Sequence, residues 1–168
     1  EHDKLTDEAI ELVSEIGIMA EILNIHCNAS FKAYQDVCRE NGLPEQWMDC
    51  DYDYEEGLKT AKALLEKYPD VDGILACNDM VAIATYKILQ EKGLSVPEDI
   101  QLMGFDNIRF SRLFTPEFST IVQPIREMGT LATQVIVSHA NGEPFKKENV
   151  FDVSLVERQT TKYTKEKK

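Results

Sequence analysis

Basic side chains are in short supply: 18 lysines and arginines stand against 30 aspartates and glutamates, a formal charge of −12 over 168 residues. A nucleic-acid surface needs clustered Lys and Arg, so direct contact between this chain and DNA is not expected. No apolar stretch is long enough to span a bilayer, and no secretion or lipidation signal stands out. The expectation is a cytoplasmic protein with no membrane contact. The four cysteines, Cys27, Cys38, Cys50 and Cys77, are too widely spaced for a zinc pattern and read as reduced, partly buried thiols. Also missing are GxGxxG, a P-loop, GxSxG and paired metal ligands. No cofactor, no metal and no enzymatic reaction is expected. Asn28-Ala29-Ser30 fits the glycosylation pattern, but without a secretion signal it reads as chance. There is no internal repeat and no low-complexity linker, and the length suits one domain or two small lobes.

What is present centres on residues 72–107, DGILACNDMVAIATYKILQEKGLSVPEDIQLMGFDN. Gly73 to Ala76 is a short apolar run, the mark of a buried parallel strand. Cys77 and Asn78 make a turn and Asp79 begins a helix. Met80, Val81, Ile83, Ala84, Ile88 and Leu89 repeat at helical spacing. Lys92 and Gly93 close the helix, and residues 100–105 form a second strand. This is a βαβ unit, which builds parallel sheets. Ligands of such sheets bind beyond the carboxyl ends of the strands. Asp79 lies at that edge after the first strand, and Asp106 and Asn107 lie at it after the second. A carboxylate at Asp79 can cap backbone N–H groups or accept hydrogen bonds from a ligand.

The rest of the chain continues the alternation. Residues 6–16 read as a helix with Thr6 as cap, Leu5 and Ile10 as a hydrophobic staple, and Gly17 as stop. Residues 20–26 suit a central strand, and residues 27–30 are a turn at the same carboxyl edge. A helix follows with Phe31, Tyr34, Val37 and Cys38 on one face. His26 reads as structural or solvent-facing. Residues 47–51 form a strand. The acidic tract at 49–57 lacks the glycine and terminal glutamate of a calcium loop, and reads as a solvated loop that aims Tyr52 into a cleft. Leu58, Ala61, Leu64 and Leu65 mark a helix ended by Tyr68-Pro69. Residues 108–117 lack periodicity and read as a crossing segment. Residues 118–122 form a strand, and Gln123-Pro124 opens a helix, proline suiting the first helical position. Its stripe is Ile125, Met128, Leu131, Ala132, Val135 and Ile136. Residues 150–156 form a last strand.

The strings CNDM-VAI-A, GLSVPEDIQLMGFDN and TPEFSTIVQP, followed by MG, occur in this order. Together they resemble the effector-binding core of the lactose/galactose-repressor (LacI/GalR) family of bacterial transcription regulators. The match is clear from about residue 28 to residue 161 and loose before that. The resemblance implies an α/β fold: a doubly wound parallel sheet flanked by helices, like a type I periplasmic binding protein, here mostly the second of two lobes. It implies that residues 1–17 are the last helix of a truncated first lobe and that 18–107 are the second lobe. It assigns a crossover segment, strand and helix at 108–142 to the first lobe, 143–161 to a return strand, and 162–168 to a flexible tail. The helix-turn-helix head of the family is missing, so the chain reads as a C-terminal fragment. The helix after residue 122 would lack its normal sheet and must pack elsewhere, swap, or expose its apolar stripe.

By position, Asp79 matches an aspartate that contacts the effector, and Tyr52 an aromatic that stacks on a sugar or nucleobase. Ser30 stands where most members carry an arginine. Asn28 and Asn78 complete the expected ligand set, and Asp106 and Asn107 match the start of the interlobe hinge. The expected function is effector binding and dimerisation for a transcription repressor. The ligand would be sugar-like or nucleobase-like and held in an interlobe cleft, the partner a second copy, and DNA reached only through the absent domain. A free sugar-binding protein of the transport type is the alternative, disfavoured by the missing targeting segment. An enzyme on a doubly wound sheet is disfavoured by the missing motifs.

Overall fold

The computed structural model describes residues 19–23 and 28–162, with side chains from Phe31 onward. The helix expected at 6–16, His26, Cys27, the side chains of Asn28 and Ser30, and the tail at 163–168 lie outside the described residues. The strands are β1 (Met19–Leu23), β2 (Trp47–Asp49), β3 (Gly73–Ala76), β4 (Gln101–Phe105), β5 (Ser119–Val122) and β6 (Ser154–Val156). The helices are α1 (Asn28–Asn41), α2 (Tyr54–Lys67), α3 (Asp79–Glu91) and α4 (Ile125–Ala140), with one 3-10 turn at Arg109–Arg112. The elements therefore fall where the periodicity put them. The differences are at ends: α1 already begins at Asn28, inside the expected turn at 27–30, β2 stops at Asp49, β6 is shorter than the run 150–156, and Pro124 sits at the N-cap of α4, not at its first helical position.

The strands form one sheet in the order β2-β1-β3-β4-β5-β6. Neighbours run parallel except β5 and β6, which are antiparallel. Successive side chains on a strand point to opposite faces, and this splits the core in two. Ile74, Ala76 and Leu102 pack with Ala61, Leu64, Val81 and Leu89 of α2 and α3. Leu75, Met103 and Ile121 pack with Tyr34, Val37 and Cys38 of α1. Helices thus cover both faces, which is why β3 carries four consecutive buried residues and reads as an unbroken apolar run. Each fully buried Leu or Ile contributes about 1.5–3 kcal/mol. Gly57 lets α2 lie against α3: a Cβ there would come within 2.9 Å of the Ala84 Cβ.

Two expectations are corrected. The strand within 108–142 does not stand with a separate lobe: β5 continues the main sheet, with Met103 opposite Ser119 and Phe105 opposite Ile121. Its four residues pair with β4 on one side and β6 on the other, satisfying backbone groups on both edges. The α3 stripe also loses a member, because Met80 is exposed. By contrast α4 has no buried residue, and Ile125, Met128, Ile136 and Val137 are exposed. Within the single chain the stripe of this helix is left uncovered. The crossing segment is fixed by a ring cluster. Phe114 and Phe118 meet Tyr86 edge-to-face with centroids 6.0 and 5.3 Å away, and the Tyr86 hydroxyl donates to the Thr115 carbonyl at 3.0 Å.

Candidate ligand site

The order of strands reverses between β1 and β3: the chain runs from β1 outward to β2, then returns to β3 on the other side. In open α/β sheets the crevice at such a switch point, outside the carboxyl ends, is where ligands bind. Asn28 opens α1 and Asn78 precedes α3, so the two helices flanking the switch point both start there. Tyr52 lies in the loop after β2 and is half exposed. The same loop holds Asp53, whose carboxylate caps α2 by accepting from the Glu55 and Glu56 amides. Among the described residues no three His, Cys, Asp or Glu side chains group to hold a metal.

The helix start at 78–79 departs from expectation. Asn78, not Asp79, is the cap: it has extended backbone and its side-chain oxygen accepts from the Val81 amide at 2.8 Å. Asp79 is 1% exposed and points inward. One carboxylate oxygen accepts from the Thr120 hydroxyl at 2.6 Å and the other from the Ile108 amide at 2.8 Å. The carboxylate lies against the backbone of β4 so closely that a Cβ at Gly104 would collide with it, which is why that strand carries a glycine. Both oxygens of this enclosed carboxylate thus already have donors within the protein. Burial raises its pKa, the Thr120 and Ile108 donors oppose the rise, nearby Asp106 adds to it, and Arg158 opposes it.

Asp106 and Asn107, expected as turn residues, hold φ of +103° and +52°. Such backbone costs on the order of 1–3 kcal/mol per residue and persists only where its surroundings fix it. Here they do. The Asp106 amide donates to the Ile121 carbonyl at 2.8 Å, and the Asn107 amide to the Thr120 hydroxyl at 3.2 Å. The half-buried Asp106 carboxylate accepts from the Gln123 side-chain amide at 2.6 Å, and burial raises its pKa against that bond. Arg158 supports the far side of the turn. Its guanidinium donates to the Asn107 side chain at 2.6 Å, the Phe118 carbonyl at 2.7 Å and the Ser111 hydroxyl at 3.2 Å. Burial, then the nearby Arg112 charge, lower the Arg158 pKa. Thr120, Gln123 and Arg158 were not legible as site residues. Thr120 and Gln123 sit in a recognisable string, STIVQ, but their partners are far away in sequence. Arg158 offered only the hint of a lone cation following an apolar strand.

A one-lobed sheet with helices on both faces, a switch point, and a polar carboxyl edge defines a periplasmic binding protein-like domain, and the family model of that description matches residues 23–161. Within that class the chain belongs to the LacI/GalR family, as an effector-binding domain. It is 30% identical over 133 residues to the ribose operon repressor of Halalkalibacterium halodurans, covering 79% of this chain and 40% of that protein. It is 35% identical over 108 residues to a lactose operon repressor of Rhizobium radiobacter, covering 64% of this chain and 96% of that one. A LacI family transcriptional regulator from Arthrobacter sp. FB24, solved in complex with lactose, superposes with a TM-score of 0.85 at 27% identity over 96% of this chain and 64% of that chain. The chain thus spans 40% of the length of the ribose operon repressor it matches.

Proposed function

We propose that this chain is the effector-binding and dimerisation part of a bacterial transcription repressor that acts in the cytoplasm. A small sugar-like or nucleobase-like molecule would seat against the carboxyl edge of the sheet, facing a first lobe. The switch point between β1 and β3 carries this reading, because it brings the starts of α1 and α3 to one crevice. The names of the relatives support it: they are operon repressors and a regulator solved with lactose. Ligand binding would favour one arrangement of a homodimer over another, by no more than its difference in affinity for the two. DNA would be reached through a domain outside this chain.

The ligand set we propose is Asn28, Ser30, Tyr52, Asn78 and Asp106. Asp106 takes the place first given to Asp79, because it is half-buried where Asp79 is enclosed. Ser30 in place of an arginine favours a ligand held by neutral hydrogen bonds over one gripped by a guanidinium fork. Asn107 remains a hinge residue.

A thermal-shift screen of sugars, sugar phosphates and purines on a two-lobed protein containing this chain tests the reading. A ligand present at 100 times its dissociation constant stabilises by about 2.7 kcal/mol. The expected result is a hit that Asp106→Asn, a substitution that tolerates the positive φ at this position, weakens at least tenfold while the unliganded melting temperature stays close to wild type. No stabilisation across the panel overturns small-molecule control.

A further inference from the structure

Two neighbouring amides of the hinge turn are collected by one buried carboxylate. Ile108 donates its N–H directly to Asp79. Asn107 donates its N–H to the Thr120 hydroxyl, which in turn donates a hydrogen bond to the other oxygen of Asp79. The four groups come from three elements: the start of α3, the loop after β4, and β5. Immediately before these amides stands Asp106, whose carboxylate is the proposed ligand acceptor. On the opposite flank the Arg158 guanidinium holds the Asn107 side chain.

We propose that Asp79 is a positioning residue: its carboxylate, through Ile108 and Thr120, locks the 106–108 turn and so sets where the Asp106 carboxylate stands at the ligand edge. The inference rests on the reading of Asp106 as a ligand group, and it assigns Asp79 to that site without contact with the ligand. The Ile108 amide can only donate, so the oxygen facing it must accept, and the Thr120 hydroxyl, which already accepts from Asn107, donates to the other oxygen. Asparagine has the same shape but turns an NH2 toward one of those donors. Thr120 must both accept and donate, which serine reproduces and valine does not.

The test is amide exchange followed by NMR on this chain and on Asp79→Asn, Thr120→Val and Thr120→Ser. The readout is chosen away from the mutated bonds. It is the Asp106 amide, which donates to the Ile121 carbonyl, and the Gln123 side-chain NH2, which reports the position of the Asp106 carboxylate. Asp79→Asn and Thr120→Val should each speed Asp106 exchange at least tenfold and shift the Gln123 NH2 signals. Thr120→Ser should stay within twofold, and the buried amides of α2 should be unchanged in all three. Exchange at Asp106 within twofold of wild type in both Asp79→Asn and Thr120→Val overturns the proposal. If Asp79→Asn fails to fold, the contrast between Thr120→Val and Thr120→Ser decides. A parallel titration with D-ribose separates the two readings. Ribose binding weakened at least tenfold in Asp79→Asn, together with faster exchange, is the expected result. Weakened binding with unchanged exchange makes Asp79 a direct contact and overturns the proposal. A wild-type protein that ignores ribose counts against ribose as the ligand, and the exchange result then decides alone.

Discussion

At the scale of the residue, Asn78 and Asp79 show how much depends on one position in the chain. Either side chain is suited to cap a helix, and both lie at the edge where ligands bind. The residue whose backbone is still extended becomes the cap. The next one, already helical, swings back over β4 and meets Thr120. Burial leaves a measurable signature. Asp79 and Asp106 both have pKa values raised above the ordinary carboxylate range. The folded chain then holds these protons more tightly than the unfolded chain does. Their contribution to stability is full below the ordinary carboxylate pKa and is lost as pH rises through the raised folded value. Asp79→Asn removes one of the two titrations. Urea denaturation at a series of pH values should show the stability of wild type relative to Asp79→Asn increasing as pH falls through that window. Above the raised value the difference should be flat. A difference independent of pH throughout would mean that Asp79 titrates alike in both states.

At the scale of the element, α3 and α4 have similar sequence signals and opposite fates. Both are amphipathic, and each is closed by a residue pair, Lys92-Gly93 or Asn141-Gly142. Helix α3 packs beside α2 on one face of the sheet and buries Val81, Ala82, Ala84, Thr85, Ile88 and Leu89. Helix α4 buries nothing among the described residues. A hydrophobic stripe states that a helix has a partner face, and not which element supplies it. The difference predicts the response to substitution. Leu89→Ala, at a side chain with 0% exposure, should cost about 2–5 kcal/mol in a denaturant melt. Ile136→Lys, on the open face of α4, should change stability by no more than about 0.5 kcal/mol. It should also lower self-association in sedimentation velocity, because it places a charge in an exposed apolar stripe. A large stability loss from Ile136→Lys would show that α4 has a packing partner.

At the scale of the whole molecule, charge and topology divide the work. With a net charge of −12, the field of the chain as a whole opposes approach to a phosphate backbone. Fluorescence anisotropy with a labelled duplex should show no binding by this chain, even near the low-salt end at about 50 mM. Binding there would relocate the DNA contact to the effector domain. The alternation of strands and helices was legible in the sequence because it is encoded locally. Period-2 and period-3.6 patterns, an apolar run such as 73–76, and turn residues such as Gly93 and Pro124 act over a few neighbours. The edge bearing the candidate site followed from the βαβ unit for the same reason. What only the tertiary structure decided depends on residues far apart in sequence. Thr120, 41 residues beyond Asp79, turns that carboxylate inward. Arg158, 51 residues beyond Asn107, braces the hinge turn. Pairing with β4 places β5 in the main sheet. Such pairings arise when the whole sheet closes and buried polar groups must find partners, a condition that no local pattern carries.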